Sequence, residues 1–516
     1  MNTSSPGVYV TEGALQSKVR TVNLSSSVAA FFGTADRGPT EPTLVTSWTD
    51  FTSRFGAIST SHDLGYAVYH YFANGGTNAY VCRVVGVAAS TATTTVKYLL
   101  NTGTGASATL FTASAVNKGI WANSDLTVTV TAGLVTATTT VVPTFNVVVK
   151  YLNEEVERWT ELSTLTSSSR YLPNVINNYS RYITINTGSV ATIVPSSTVG
   201  FVTTSTSPVV VYQPYAFSGG ASASPVDSDY ITALDLLDNV EGVLMINAVG
   251  QYTSNVTNAV QAKAYARGNS IGIIDPSPSS VTADNFNTEV QAHRSASGAN
   301  YSIFCAPMLT MVDPARSGPA AIRRTFPGGA VAGLYARVEA ERTVGKTPAG
   351  YTAEIRNALG VDVKFTEAQI GTLYDAGVNC FKQIPGAGVV LFGGRTMERL
   401  RPDRYISVRR SLNYLKQALK DATQFAVFEP NDERLWSAVT ASCGNVLSRF
   451  WSAGGLKGAS QADAYYVICD SSNNTASTID DGQVVVEVGV ALQQPAEFIV
   501  IKISQWTGGS NTADNL

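Results

Sequence analysis

At roughly 100–200 residues per domain, a chain of 516 residues has room for three or four domains, and 44% hydrophobic content is enough to bury several cores. Charged residues make up only 14%, the net charge is −3, and no basic tract is interleaved with aromatics, which argues against a nucleic-acid partner because phosphate backbones are held by clustered Lys and Arg. The start, Met1–Gly13, lacks the charged and apolar regions of a signal peptide, and no apolar run approaches the roughly 18 residues a bilayer requires, so membrane insertion is not expected and the product reads as cytosolic on synthesis. Abundant Ser and Thr make large surfaces polar but uncharged. That suits contact between copies of the chain, where few charges need desolvating, or a neutral extracellular surface.

In chain order, residues 1–20 read as an extended arm: Pro6-Gly7 breaks helix, and Val8, Tyr9, Val10 and Thr11 have the make-up of a short strand with no local partner. Residues 21–87 turn α/β. SVAAFFG is a strand ended by Gly33. Ser47 stands three positions before Asp50, a capping-box spacing that opens a short helix. Asp63 is placed to cap a second helix carrying Leu64, Ala67, Val68, Tyr71 and Phe72 at helical spacing, stopped by Gly75-Gly76. AYVCRVVG is then a buried strand. Residues 88–215 change character: Thr, Val and Ser alternate with period two, and helical pattern survives only near Thr164–Asn177, which predicts an inserted all-β domain.

Strands alternating with helices resume over 216–360, implying a mostly parallel sheet, with 313–360 so rich in Gly, Pro and Arg that it reads as more loop than element. Residues 361–494 carry strong helical periodicity. Over Tyr405–Lys420, Val408, Leu412, Leu415 and Leu419 share one face and Arg409, Arg410, Lys416 and Lys420 lie elsewhere. EPNDERLW stages a further helix, with Asn431 as its cap and Asp432 and Glu433 suited to the positive helix start. Two strands follow: QVVVEVGVAL, with Val484, Val486, Val488, Val490 and Leu492 on one face, and a terminal strand in which Ile499, Ile501 and Ile503 oppose Phe498, Val500 and Lys502. The second belongs to a C-terminal arm, 495–516.

A search for chemistry finds no convergent site. The five cysteines are widely spaced, without a CxxC pair, and sit among apolar neighbours, which favours buried thiols over disulfides within or between subunits. The three histidines lack metal-ligand or triad spacing, so they read as surface or packed side chains, with no cofactor or metal expected. IPGAGVVLFGGRT lacks the GK[ST] ending of a phosphate loop and reads as turns flanking a strand. Asp275, at a strand end before Pro276, reads as a turn residue. The arginine-rich run from Arg395 to Arg410 reads as a solvated face or as an electrostatic contact with a partner.

Both ends of the chain nevertheless resemble contractile phage tail sheath proteins. The N-terminal resemblance rests on PGVYVTEG, SSSVAAFFGTADRGPTEPTLVTSWTDFTSRFG and FANGGTNAYVCRVVG. The C-terminal one rests on GAVAGLYARVEAERTVGKTPAG, GVNCFKQIPGAGVVLFGGRT, RYISVRRSLNYLKQAL, FAVFEPNDERLW and PAEFIVIKISQWTGG, in the family's order. Residues 88–215 do not carry it. The resemblance implies a multidomain α/β (α+β) chain whose α/β core is built from both chain ends, with the inserted all-β domain outside and terminal arms that add strands to neighbouring subunits. It also implies six-fold rings of subunits in a helical lattice around a tail tube protein, with baseplate and tail terminator proteins as further partners, in a virion tail assembled in the host cytoplasm.

The donated strands are then expected to be Val8–Thr11 and Phe498–Ile503, since strand addition satisfies main-chain groups and sets register through alternating side chains. Arg404, Arg409, Arg410, Asp432, Glu433 and Arg434 are the candidate contacts to the tube. A bacteriocin-like or extracellular contractile injection particle is the nearest alternative. A secretion-system sheath, a tail-tube or capsid protein, and an α/β enzyme are further ones.

Overall fold

The computed structural model describes residues 27–99, 107–132, 144–190, 214–295, 297–319, 321–399 and 404–497. The first segment forms β1 (Val28–Gly33), β2 (Thr43–Val45), α1 (Trp48–Phe55), α2 (Leu64–Ala73) and β3 (Ala79–Arg83). Ser47 caps α1 as its spacing predicts, its hydroxyl accepting from the Asp50 N–H at 3.1 Å. Asp63 precedes α2 but does not cap it. Its carboxylate pairs instead with Arg323 at 2.8 Å, because a long-range ion pair offers a charged donor where the cap offers a neutral one.

The next stretch folds into β4 (Thr93–Leu99), β5 (Ser107–Ala115), β6 (Leu126–Ala132), β7 (Phe145–Tyr151), β8 (Glu154–Leu162), α3 (Leu172–Tyr179), β9 (Ile183–Ile185) and β10 (Tyr215–Ala216). Two antiparallel sheets, ordered β10-β6-β7-β8 and β4-β5-β9, close on a core of their own that includes Phe111, Val128, Val147, Leu162 and Ile176. The alternating Thr and Val of this region produce that arrangement: along β6, Leu126, Val128 and Val130 are buried and Thr127, Thr129 and Thr131 are not.

The chain then returns through α4 (Asp227–Asp235), β11 (Leu244–Ala248), α5 (Ser254–Arg267), β12 (Ile271–Ile274), α6 (Ala283–His293), β13 (Ser302–Ala306), β14 (Leu309–Val312), β15 (Ile322–Thr325), α7 (Gly328–Glu341), β16 (Ala358–Val361), α8 (Glu367–Ala376), β17 (Val378–Ile384) and β18 (Gly388–Phe392). An eight-stranded sheet, β18-β17-β13-β12-β11-β1-β3-β2, draws its strands from residues 28–83, 244–306 and 378–392. Its interior pairs are parallel and its edges, β2 and β18, antiparallel. Helices α1, α2 and α7 cover one face, and α4, α5, α6 and α8 the other, so the central strands are buried on both sides and read as near-continuous apolar runs.

The expectation that 313–360 is mostly loop is corrected here. Helix α7 runs through its middle, and its residues from Gly328 to Ala336 are all buried. Two glycines account for both the helix and the misleading composition. A Cβ on Gly329 would stand 2.1 Å from the Ala67 carbonyl oxygen, and one on Gly333 2.4 Å from that of Tyr71, so α7 lies against the backbone of α2 more closely than any side chain permits. Because α7 is enclosed on all sides, it shows no apolar stripe for periodicity to find.

The C-terminal part comprises α9 (Ile406–Thr423), α10 (Glu433–Ser452), α11 (Gln461–Ala464), β19 (Tyr465–Ile468), α12 (Ala476–Asp480) and β20 (Glu487–Val490). Leu415, Leu447 and Phe450 join α9 to α10, and Val467, Val488 and Val490 lay the β19–β20 pair on them. The cap of α10 is Asp432, whose Oδ1 accepts from the N–H groups of Arg434 and Leu435 at 3.1 and 2.9 Å. Asn431, expected to be the cap, instead accepts from the Trp436 indole and donates to the Gln483 carbonyl.

Candidate functional site: arm roots and an open two-stranded sheet

The expected donor strands, Val8, Tyr9, Val10 and Thr11 and Phe498, Ile499, Val500, Ile501, Lys502 and Ile503, lie outside the described residues. What the structure describes is the chain next to each of them, from Ser27 onward and up to Glu497. On the N-terminal side, the Ser27 hydroxyl donates to Glu339 on α7 at 2.6 Å, and the Tyr71 hydroxyl donates to the Ser27 carbonyl at 2.9 Å. Arg410 on α9 reaches the same Glu339 oxygen at 2.6 Å while its guanidinium lies 5.1 Å from the Tyr335 ring centre.

On the C-terminal side Glu497 is held by three groups. Arg395 clasps both its oxygens, at 3.0 and 2.7 Å, the Tyr374 hydroxyl donates at 2.7 Å, and Arg404 stands 3.8 Å away. The Arg395 guanidinium stacks over the Tyr374 ring at 3.9 Å and also pairs with Asp375. Bidentate geometry of this kind is strong and fixes orientation. Burial alone would raise the pKa of Glu497, but the hydrogen bonds from Arg395 and Tyr374 and the charges of Arg395 and Arg404 outweigh it and hold the carboxyl below its ordinary value.

The candidate tube contacts divide. Arg409 and Arg410 are both buried, at 6% and 3% exposure, and their side chains have partners inside their own chain. Arg409 stacks over Tyr301 at 4.3 Å and donates to its hydroxyl at 3.1 Å. The aromatic and carboxylate partners of these arginines, Tyr301, Tyr335 and Glu339, come from distant segments that sequence spacing does not connect. Arg404 is half-buried at the root of the C-terminal arm, stacked 5.0 Å from its own neighbour Tyr405. Asp432, Glu433 and Arg434 are exposed at the start of α10.

Beside them Phe425, Val427 and Phe428 are exposed, Phe428 completely, and Phe428 holds a φ of 68°, a left-handed conformation rare for a bulky residue. The Asn431–Gln483 bond ties this loop to the approach to β20. Among the described residues β19 and β20 pair only with each other, and Tyr466 and Val485 are exposed there. Two strands alone make a marginal sheet with open main-chain donors and acceptors along its edges.

Sequence reasoning placed Glu497 at the head of the expected donor strand and not in an ion pair, although a lone acid in an otherwise uncharged stretch marks it. It also missed Arg37, which is 7% exposed and stacks over Trp121, Tyr151 and Tyr182 at 5.9, 5.4 and 5.0 Å while donating to the Thr52 and Ser53 carbonyls at the end of α1. With Arg83, whose guanidinium donates to the carbonyls of Ala35, Asp36 and Lys118, it fastens the β-rich insertion to the parallel sheet. A cleft of about 780 Å³ opens at this junction, lined by Asp36, His62, Arg83, Asp125 and Tyr230 among others.

All five cysteines are free and buried, and burial pushes their thiols up, to about 12 at Cys82 and Cys380 and about 11 at Cys443. Among the described residues no His, Cys, Asp and Glu side chains group as a metal site would, and no helix is long and apolar enough to cross a membrane. Glycines of the IPGAGVVLFGGRT stretch form the β17–β18 turn, as expected, with Gly386 and Gly388 at φ of 82° and 73°.

Comparison with known proteins converges on one family. Residues 223–397 match the phage tail sheath protein central domain and residues 403–505 the phage tail sheath C-terminal domain, together more than half of the chain. The tail sheath protein of Vibrio phage KVP40 is 32% identical over 178 residues, and that of Enterobacteria phage T4 is 30% identical over 171. These stretches cover 34% and 33% of this chain and only 25% of either relative. The fold is similar to that of a sheath tail protein from Listeria innocua, with a TM-score of 0.60 at 14% identity over 90% of this chain and 94% of that one. It is also similar to the sheath of an extracellular contractile injection system in its contracted state, with a TM-score of 0.58 at 19% identity over 98% and 99%. The matched segments hold both arm roots and the open β19–β20 sheet except for Ser27 and Tyr71, and by them the chain belongs to the contractile phage tail sheath family.

Proposed function

We propose that this chain is the structural subunit of a contractile tail sheath. It polymerises as stacked hexameric rings around a tail tube and contracts to drive that tube through a host envelope for genome delivery. The observation that carries this reading is the ordered match to the sheath central and C-terminal domains over residues 223–397 and 403–505. The strands Val8–Thr11 and Phe498–Ile503 of neighbouring copies add to the open edges of β19–β20, completing a sheet that two strands leave marginal. Such links let subunits rotate and slide while staying tethered, and head-to-tail contacts of this kind propagate as a helix. The body of each subunit is the core of the sheath, and the β-rich insertion is its outer part.

For the tube contact, the exposed Asp432, Glu433 and Arg434 at the start of α10 remain the candidates, and baseplate and terminator proteins close the two ends of the sheath. A second reading, the sheath of a bacteriocin-like or extracellular injection particle, is favoured by a fold likeness to an injection-system sheath that extends over 98% of the chain.

Electron microscopy of the purified full chain tests the proposal. Hollow contracted cylinders are the expected result, and deletion of residues 1–20 or 495–516 should abolish them. Monomers at every salt and protein concentration would overturn it. Charge reversal at Glu433 and Arg434 should reduce co-sedimentation with tubes without changing the melting temperature, and unchanged co-sedimentation would remove them as tube contacts.

A further inference from the structure

The two arm roots are not independent sites. Arg395 clasps Glu497 at the C-terminal root, and its neighbour Thr396 donates its N–H to the Arg404 carbonyl at 2.8 Å. Ile406 donates in turn to the Gly394 carbonyl at 3.1 Å, and Arg395 pairs with Tyr405 as an isolated bridge. Tyr405 is the N-cap of α9, and Arg410, which grips Glu339 at the N-terminal root, is one turn further along that helix. From Glu497 to Ser27 there is thus a continuous chain of strong contacts: Glu497 to Arg395, a backbone ladder across 394–396 and 404–406, the first turn of α9, Arg410 to Glu339, and Glu339 to Ser27.

Each ionic link in that chain is partly buried, with its arginine well enclosed. Arg395 and Glu497 are 7% and 8% exposed at their side chains, and Arg410 and Glu339 3% and 14%. Salt screens such pairs weakly, and removing one partner leaves the other charge unpaired inside the protein. These links are directional, and they join residues as distant in sequence as Ser27 and Glu497. A molecule so poor in charge has placed several of its arginines where they tie the two chain ends to one bracket.

We infer that the paired stretches Gly394–Thr396 and Arg404–Arg410 form a mechanical bracket that couples the roots of the N- and C-terminal arms, so that pull entering a subunit through one arm leaves through the other by way of two partly buried ion pairs. This deepens the proposed sheath function and rests on it for the source of the load. The structural coupling itself stands apart from that function. Under the bracket, loosening one root weakens the hold on the other.

The test uses the full-length chain and two readouts. In denaturant unfolding, Glu497→Gln, Glu339→Gln and the double variant form a cycle. Coupled roots make the unfolding equilibrium constant of the double variant depart at least about threefold from the product of the single effects, whereas independent roots give the product. Lys382→Ala, which removes an exposed pair between β17 and Glu367 at the start of α8, should be additive with both. Arg395→Lys and Arg410→Lys replace the glutamate variants should either fail to fold. In the second readout, sheaths assembled from Glu497→Gln and from Glu339→Gln should fragment under shear to less than about half the wild-type length, and those from Lys382→Ala should not. An additive cycle, or variant sheaths as long as wild type after shear, overturns the bracket. If the wild-type chain forms no sheath at all, the proposed function fails while the unfolding cycle still decides the coupling.

Discussion

Asp275 shows how one buried carboxylate can hold several elements in place. It closes β12 at 1% exposure and accepts from Asn247 and from the N–H groups of Gly250 and Gly328, at 3.1, 3.2 and 2.8 Å. The loop after β11 and the first turn of α7 therefore meet on one side chain. Burial raises its pKa from 3.8 to about 6, and the three donors limit the rise. The folded state therefore holds a proton that the unfolded state has released between those two values, so stability falls as pH rises from about 4 to about 6. The difference corresponds to about 3 kcal/mol. Denaturant midpoints measured across that window should fall by this contribution in the wild type, and Asp275→Asn should flatten the slope. Arg37 acts at the same scale between domains. Arg37→Ala removes its stacking on Trp121, Tyr151 and Tyr182, a loss on the order of 2 kcal/mol for a desolvated cation on aromatic faces. Limited proteolysis should then cut the junction near Gly86 and Ser222 several-fold faster, while fragments of the β-rich insertion stay resistant.

Among the elements, α7 best illustrates how packing overrides composition. Its glycines would be poor choices in an exposed helix, costing about 1 kcal/mol each relative to alanine. Against α2 they are required, because Cβ atoms at Gly329 and Gly333 would collide with carbonyl oxygens at 2.1 and 2.4 Å. Gly333→Ala should therefore destabilise the protein by about 1–3 kcal/mol despite its better helix propensity, read as a lowered melting temperature. A neutral or stabilising result would mean that α2 and α7 can separate freely. The same lesson applies to α9. Its apolar face, including Leu415, was visible as a period, but Arg409 and Arg410 are as buried as that face because Tyr301, Tyr335 and Glu339 come from elsewhere to meet them.

For the molecule as a whole, the β-rich region has its own two sheets and its own core and is joined to the parallel sheet mainly through two chain crossings and the Arg37 and Arg83 contacts. Replacing the residues between Gly86 and Ser222 by a short Gly-Ser linker should leave the remaining chain folded and able to assemble into cylinders of smaller outer diameter under the electron microscope. Loss of assembly would mean that this region takes part in subunit contacts.

Much of this was legible in residue order. Ser47 with Asp50, the alternating valines of the insertion, the apolar strands around Ile246 and Ile273, and the stripe along α10 are local patterns, and each depends only on the period of the element that carries it. The motifs of a sheath protein were legible in the same way, as ordered local strings. Partner choice over long range was not. Asp63 leaves its helix for Arg323, Asn431 gives up the cap of α10 to Asp432, the glycines of α7 await the backbone of α2, and Glu497 and Ser27 find Arg395 and Glu339 from opposite ends of the chain. Local period and turn chemistry act within a few residues and survive any tertiary arrangement. Which buried charge meets which, and which helices touch backbone to backbone, depends on the strand order of the eight-stranded sheet, and only the folded molecule decides that.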